Sequence, residues 1–168
     1  RVCDCCPTSA AMSAAGPIIV YRDRSAEEIR DIYVTRYVNG DWTPPVAIHD
    51  DQWEIAGCPV NGPSVAAQGN FVAVGWFTAK DDSPKVQLAL STDSGEHFSA
   101  PILVSGPDTI GRIDTAILAN GQVAVSWLDT KDETAELTVS RFSAGGSLID
   151  TTVVARMSAS RRSGFPII

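Results

Sequence analysis

One short segment constrains this chain more than any other: Val72-Ala73-Val74-Gly75-Trp76 returns 51 residues later as Val123-Ala124-Val125-Ser126-Trp127. Large and small side chains alternate in both copies, as on a strand whose two faces meet differently shaped neighbours. A turn precedes each copy, Gln68-Gly69-Asn70 in one and Asn120-Gly121-Gln122 in the other, and Gly16-Pro17-Ile18-Ile19-Val20-Tyr21 is a looser third copy. A repeat of about 50 residues signals an array of like units, each burying its apolar faces against the next.

The rest of each unit follows the same order. An innermost strand is expected over 8–14, 63–67 and 113–118, ahead of the repeated strand. A polar loop and a third strand come next (29–37, 85–90, 137–142), then a turn and a last strand (45–48, 101–104, 152–155). Helical periodicity is missing over any useful length; Ser25-Ala26-Glu27-Glu28 reads as part of a loop. The fold class is therefore all-β, and four-stranded antiparallel units of this period are the blades of a β-propeller. The units span about 8–50, 61–105 and 112–156, with 164–168 opening a fourth. Three blades and one strand do not close a ring, which takes ~4–8 blades. The expectation is a piece of a longer, six-bladed chain, or a half-ring closed by a second copy, since open sheet edges are adhesive.

Composition narrows the function classes. A net charge of −7 argues against a nucleic-acid partner held through phosphates. With 44% hydrophobic and 20% charged residues the chain has the make-up of a packed domain rather than a disordered one. No apolar run reaches the ~20 residues of a membrane-spanning helix. Four cysteines, an even number, suit an oxidising compartment, so a secreted or periplasmic location is expected.

The turn of the second unit reads Ser91-Thr92-Asp93-Ser94-Gly95-Glu96-His97-Phe98. Asp93 is placed to accept hydrogen bonds from the N–H groups of its own turn, Gly95 to take φ > 0, and Phe98 to pack back on the sheet. His97 should be exposed and inert. Residues 35–45 align on 91–101 without gaps, Trp42 opposite Phe98, so the first unit holds a degenerate copy; Ser143-Ala144-Gly145-Gly146 is a weaker one. Ser-x-Asp-x-Gly-x-x-aromatic (Ser91, Asp93, Gly95, Phe98) resembles the Asp-box, or BNR repeat, of sialidase-like propellers, and the resemblance covers most of the chain.

That resemblance implies a ligand site on the axial face, opposite the boxes. Sialidases hold a substrate carboxylate with three arginines and use an Asp acid/base and a Tyr nucleophile. The first arginine belongs to an Arg-Ile-Pro-like innermost strand; Cys5-Cys6-Pro7-Thr8 stands there instead. Arg22 and Asp23, in Tyr21-Arg22-Asp23-Arg24, fit an acidic-basic pair able to clamp an anion, and Arg112 joins Arg30-Asp31 in mixing charges at strand starts. Such residues also form ion pairs at the surface or between blades. The family's general acid lies in a loop before an Asn-Pro strand, so Asp50 and Asp51, ahead of Asn61-Gly62-Pro63, are the candidates, with a solvated loop acid as the alternative. The Tyr, its Glu and the remaining arginines would lie past Ile168, and Arg161-Arg162 is either part of an anion site or a solvated turn.

The cysteines are the remaining feature. Cys3, Cys5 and Cys6 lead into the first innermost strand and Cys58 into the second. Neighbouring blades bring these starts together, so the thiols converge as a copper or zinc site, with His49 as a further donor, as one or two disulfides, tying Cys58 to Cys5 or Cys6, or as free buried thiols. Three functions follow: an exported propeller binding a glycan or small anionic ligand, an exo-glycosidase of sialidase type, or a metal- or redox-linked propeller centred on the cysteines.

Overall fold

The structure is a computed structural model that describes residues 1–132, 134–158 and 166–168. They form three antiparallel sheets in chain order. The first contains β1 (Ser9–Ser13), β2 (Gly16–Arg22) and β3 (Ile32–Val38); two short strands, β4 (Asp41–Trp42) and β5 (Val46–Ala47), pair with different stretches of β3. The second runs β6 (Ser64–Gln68), β7 (Phe71–Thr78), β8 (Lys85–Ser91) and β9 (Ile102–Ser105). The third runs β10 (Thr109–Ile117), β11 (Val123–Lys131), β12 (Thr134–Phe142) and β13 (Leu148–Ser158). Among the described residues the one helical element is a 3-10 turn at Lys80–Asp82.

The four-strand units of the sequence are present, with three shifts. β10 begins four residues before the expected Ile113, because register slips at Gly111 and Asp114 let the strand pair irregularly before the regular ladder begins. β3 begins at Ile32, since Ile29 makes only an isolated bridge to Glu54. β4 falls in what reads as a turn. The proposed fourth strand, 164–168, lies partly outside the described residues, as do Arg161 and Arg162; Pro166–Ile168 carry no strand, though the Ile168 N–H donates to the Asp114 carboxylate at 2.8 Å.

The core lies in two layers between the three sheets. Val72, Val74 and Trp76 of β7 pack with Ile18, Val20, Ile32 and Val34 of the first sheet. The opposite face of the second sheet presents Ala73, Val86, Leu88 and Leu90 to Val123, Val125, Trp127 and Phe142. The middle sheet is thus buried on both faces, which explains its nearly unbroken apolar strands. In both copies of the repeat the larger side chains face the preceding sheet. The innermost strands pack side by side, β1 against β6 and β6 against β10. Side chains link them: Ser9 Oγ accepts from Val65 N at 3.1 Å, and Ser64 Oγ donates to Asp114 at 2.8 Å while accepting from Thr115 N at 3.0 Å.

The 91–98 turn is built as its residues demand. Asp93 Oδ1 accepts from Ser91 Oγ at 2.7 Å and from the Glu96 and His97 N–H groups, each at 3.0 Å. Gly95 takes φ of 80°, and a Cβ there would lie 2.4 Å from Ile18 Cδ1. Phe98 packs on the core layer between the first two sheets. Exposed His97 turns Nδ1 to Asp93 at 2.8 Å. The His97 N–H first, helped by Ser91 and the His97 ring, holds the Asp93 carboxyl well below the usual carboxylate range. Asp93→Ala should therefore lower stability by about 1–2 kcal/mol near neutral pH, measured by urea unfolding. A depressed folded-state pKa stabilises above the unfolded value of about 3.9 and loses that contribution as pH falls below it. The gap between wild type and variant should accordingly narrow below about pH 4.

Candidate functional site

Packing β1, β6 and β10 side by side brings together the segments that lead into them. Cys3 enters this region because its N–H donates to Arg22 O at 2.9 Å, with Val2 bridged to Asp23, so residues 2–3 run along the end of β2. Cys58 arrives through the 49–55 stretch, which is tied to 28–31: Arg30 N donates to Trp53 O, and Ile55 N to Glu28 O. The two cysteine segments then touch so closely that a Cβ on Gly62 would sit 2.0 Å from Pro7 O.

A disulfide joins Cys5 to Cys58 there, across 53 residues and a Cα–Cα distance of 6.1 Å. Of the two pairings left open by the sequence this is the Cys5 one, and Cys3 and Cys6 remain free and buried. The Cys3 sulfur lies 3.7 Å from that of Cys5 and 3.4 Å from that of Cys6. Arg30 Nη1 donates to Cys3 Sγ at 3.1 Å, and its Nη2 reaches Glu28 at 2.5 Å. Burial pushes the Cys3 thiol up, but the Cys5 backbone, Cys6 and Arg30 outweigh it and hold it below the ordinary thiol value. Burial and the neighbouring Cys3 raise Cys6. The two neighbouring thiols are thus shifted in opposite directions, Cys3 down and Cys6 up. An open cleft of about 280 Å³, lined by Asp4, Cys5, Arg24, Arg30, Gly57 and Cys58, reaches the disulfide from solvent.

Arg22 stands behind this cluster and is 1% exposed. Its Nε donates to Asn61 O at 2.8 Å, Nη1 to Arg30 O at 2.5 Å and Nη2 to Phe77 O at 2.6 Å, with the guanidinium 4.9 Å from the Trp53 ring centre. Burial pulls Arg22 down to about 10, opposed by Cys6 and Cys3 and then by Asp51 and Asp31, so it stays charged at neutral pH. The residue read as an anion clamp holds three carbonyls instead. Asp23 is half-buried, and its N–H donates to Asp31 O at 2.9 Å. Arg112 is half-buried on the far side of Asn61, whose Oδ1 accepts the Arg112 N–H at 2.8 Å.

The two loop acids differ. Asp50 is exposed and takes a hydrogen bond from the Gln52 side chain. Asp51 is 8% exposed; its carboxylate accepts from Trp76 Nε1 at 2.7 Å and contacts His49 Nδ1 at 2.9 Å. His49 therefore belongs with Asp51, and the sulfur group that could hold a metal comprises Cys3, Cys5 and Cys6 without it. Sequence reasoning missed the linking role of Asn61, Trp53 and Trp76. Each looks like ordinary loop or core composition until its partner from another unit is placed.

No known protein-family model matches the chain, and no curated protein matches it either. No helix among the described residues is long and apolar enough to cross a membrane. The disulfide fits an oxidising compartment.

Asp51 is the acceptor that the Trp76 indole has in the core. Asp51→Ala should destabilise by roughly 1–3 kcal/mol, because it leaves a buried N–H unpaired. Adding Trp76→Phe should make the double variant less unstable than the two single losses summed, read from thermal or urea unfolding of all four proteins.

Proposed function

We propose that this chain is three blades of a sialidase-like Asp-box propeller from an exported protein, and that its working site is the cysteine cluster, a thiol–disulfide centre. One observation carries the reading of the site: the Cys3 sulfur lies within contact distance of both Cys5, already in a disulfide, and Cys6, a second free thiol.

The chemistry follows from that order of sulfurs. The Cys3 thiolate attacks Cys5 Sγ, a Cys3–Cys5 bond forms, and Cys58 leaves with the electron pair as a thiolate. Cys6, losing its proton, then attacks Cys3 Sγ, and Cys5 departs as a thiolate. No electrons are gained or lost in the two steps. The disulfide has moved from a pair lining the surface cleft to a pair inside, and the half-buried Cys5 and exposed Cys58 thiols face an incoming thiol or disulfide partner. Arg30 aids the first step by favouring the attacking thiolate.

The glycan-binding and exo-glycosidase readings draw less support. The first draws on Arg22, Asp23 and Arg112 and the second on Arg22 with Asp50 or Asp51, whereas Arg22 is engaged by three carbonyls and Asp51 by an indole and an imidazole, which leaves Asp50 as the exposed acid.

Disulfide mapping tests the exchange. In wild-type protein carrying one disulfide per chain, incubation, acid quench, alkylation and peptide mass analysis should recover both the Cys5–Cys58 and the Cys3–Cys6 bond. Cys3→Ser should show Cys5–Cys58 alone. Wild-type protein that retains only Cys5–Cys58 after prolonged incubation would rule the exchange out.

A further inference from the structure

Taking the cysteine cluster as the working site, we propose that reduction of the Cys5–Cys58 disulfide turns Cys3, Cys5 and Cys6 into a three-thiolate site for Cu(I), gated by that disulfide. This rests on the location of the site in the preceding section and not on the exchange between the two pairs.

The sulfur spacing supplies the first argument. The three sulfurs lie within 4.8 Å of one another, at 3.7 Å for Cys3 to Cys5 and 3.4 Å for Cys3 to Cys6. A metal–thiolate bond of about 2.3 Å puts three sulfurs around one ion about 4 Å apart. Small side-chain rotations therefore suffice. Thiolates select soft ions such as Cu(I), and harder cations prefer the oxygen donors that this cluster lacks.

Charge supplies a second and independent argument. Arg22 and Arg30 stand buried beside the sulfurs, Arg30 Nη1 donating to Cys3 Sγ, and Arg24 lines the cleft, against the carboxylates of Glu28, Asp4, Asp31 and Asp51. Arg24 and Arg30 share Glu28, Asp4 is exposed, and Arg22 is hydrogen-bonded to carbonyls that carry no net charge. Arg30, 3% exposed, also keeps its Nε buried without a partner among the described residues. Cu(I) held by three thiolates carries a net charge of −2, and the buried Arg30 guanidinium already on the Cys3 sulfur would face that charge.

The gate follows from which sulfur is taken. In the oxidised protein Cys5 is bonded to Cys58, so two thiols remain, one short of the site. An external dithiol delivers two electrons and two protons to the disulfide and is itself oxidised to a disulfide. Cu(I) entering by the cleft then displaces the protons of three thiols, with no change in its oxidation state.

The test is a Cu(I) titration of the full chain under anaerobic conditions against a chromophoric Cu(I) chelator, with Zn(II) in a parallel arm. Reduced wild type should withhold one Cu(I) per chain, and the oxidised protein none. Cys58→Ser frees Cys5 without any reductant and should bind Cu(I) constitutively. Cys6→Ser should lose the one-to-one binding, and Arg30→Met, which leaves every ligand in place, should weaken it at least about tenfold. Circular dichroism of each variant confirms the fold. The proposal is overturned if reduced wild type and Cys58→Ser both yield all Cu(I) to the chelator. It is equally overturned if binding is unchanged in Cys6→Ser or with the disulfide closed, or if one Zn(II) is held in place of Cu(I). Cu(I) binding by Cys58→Ser and reduced wild type, alongside oxidised wild type that keeps only its Cys5–Cys58 bond, would retain this inference and remove the exchange.

Discussion

A single buried guanidinium holds the arrangement together. Arg22 ends β2, and its donors reach carbonyls of three segments that share no strand ladder: Arg30 ahead of β3, Asn61 ahead of β6, and Phe77 near the end of β7. Each carbonyl would otherwise be buried at a point where sheet pairing cannot satisfy it, and a lost partner there costs about 1–3 kcal/mol. A guanidinium suits the task because its donors fan out in one plane while its faces stay free to stack, here on Trp53. Asn61 extends the link, since its side chain donates to Ile110 O at 3.1 Å and accepts from Arg112 N. One guanidinium and one amide thus connect the first sheet to the third.

The same chain of contacts explains where the cysteines meet. With both faces of the second sheet buried, the three sheets stack as successive layers, and the innermost strands of all three lie side by side. Whatever precedes those strands is forced into one small volume. For the first two strands that is Cys3 to Pro7 and Cys58 to Gly62. The small residues of the repeat permit this closeness. A Cβ on Gly75 would approach Thr115 Oγ1 to 2.6 Å, so a larger residue in β7 would push β10 away.

The strands were legible in the sequence because each is a local pattern of alternating size, and the repeat confirms the pattern by copying it. The Asp-box turn was legible for the same reason: Ser91, Asp93 and Gly95 satisfy one another within five residues. The site was legible as a place but not as a set of partners. Arg22 reads as half of an anion clamp or of an ion pair because it sits among Tyr21, Asp23 and Arg24; only the placement of Asn61 and Phe77, 39 and 55 residues away, makes it a buried carbonyl clamp. Asp51 looked like a loop acid because its indole partner lies 25 residues on, in another sheet. Composition near a residue reports its neighbours along the chain, and these roles are set by neighbours across it.

The disulfide acts on folding and on the site in different ways. Closing a loop of this length stabilises by about 4 kcal/mol in the chain-entropy account, and that effect operates on the unfolded chain. In the folded chain the two cysteine segments are already held together by other means: the close approach of Gly62 to Pro7, the Arg22–Asn61 bond, and the pinning of 52–55 onto 28–31. Opening the bond in the native state therefore leaves the segments side by side, with four sulfurs in one neighbourhood and two buried guanidiniums facing them. A linkage needed chiefly while the chain folds becomes available for chemistry once the fold is complete, provided the native contacts carry its geometric role. That condition is met here by the buried arginine.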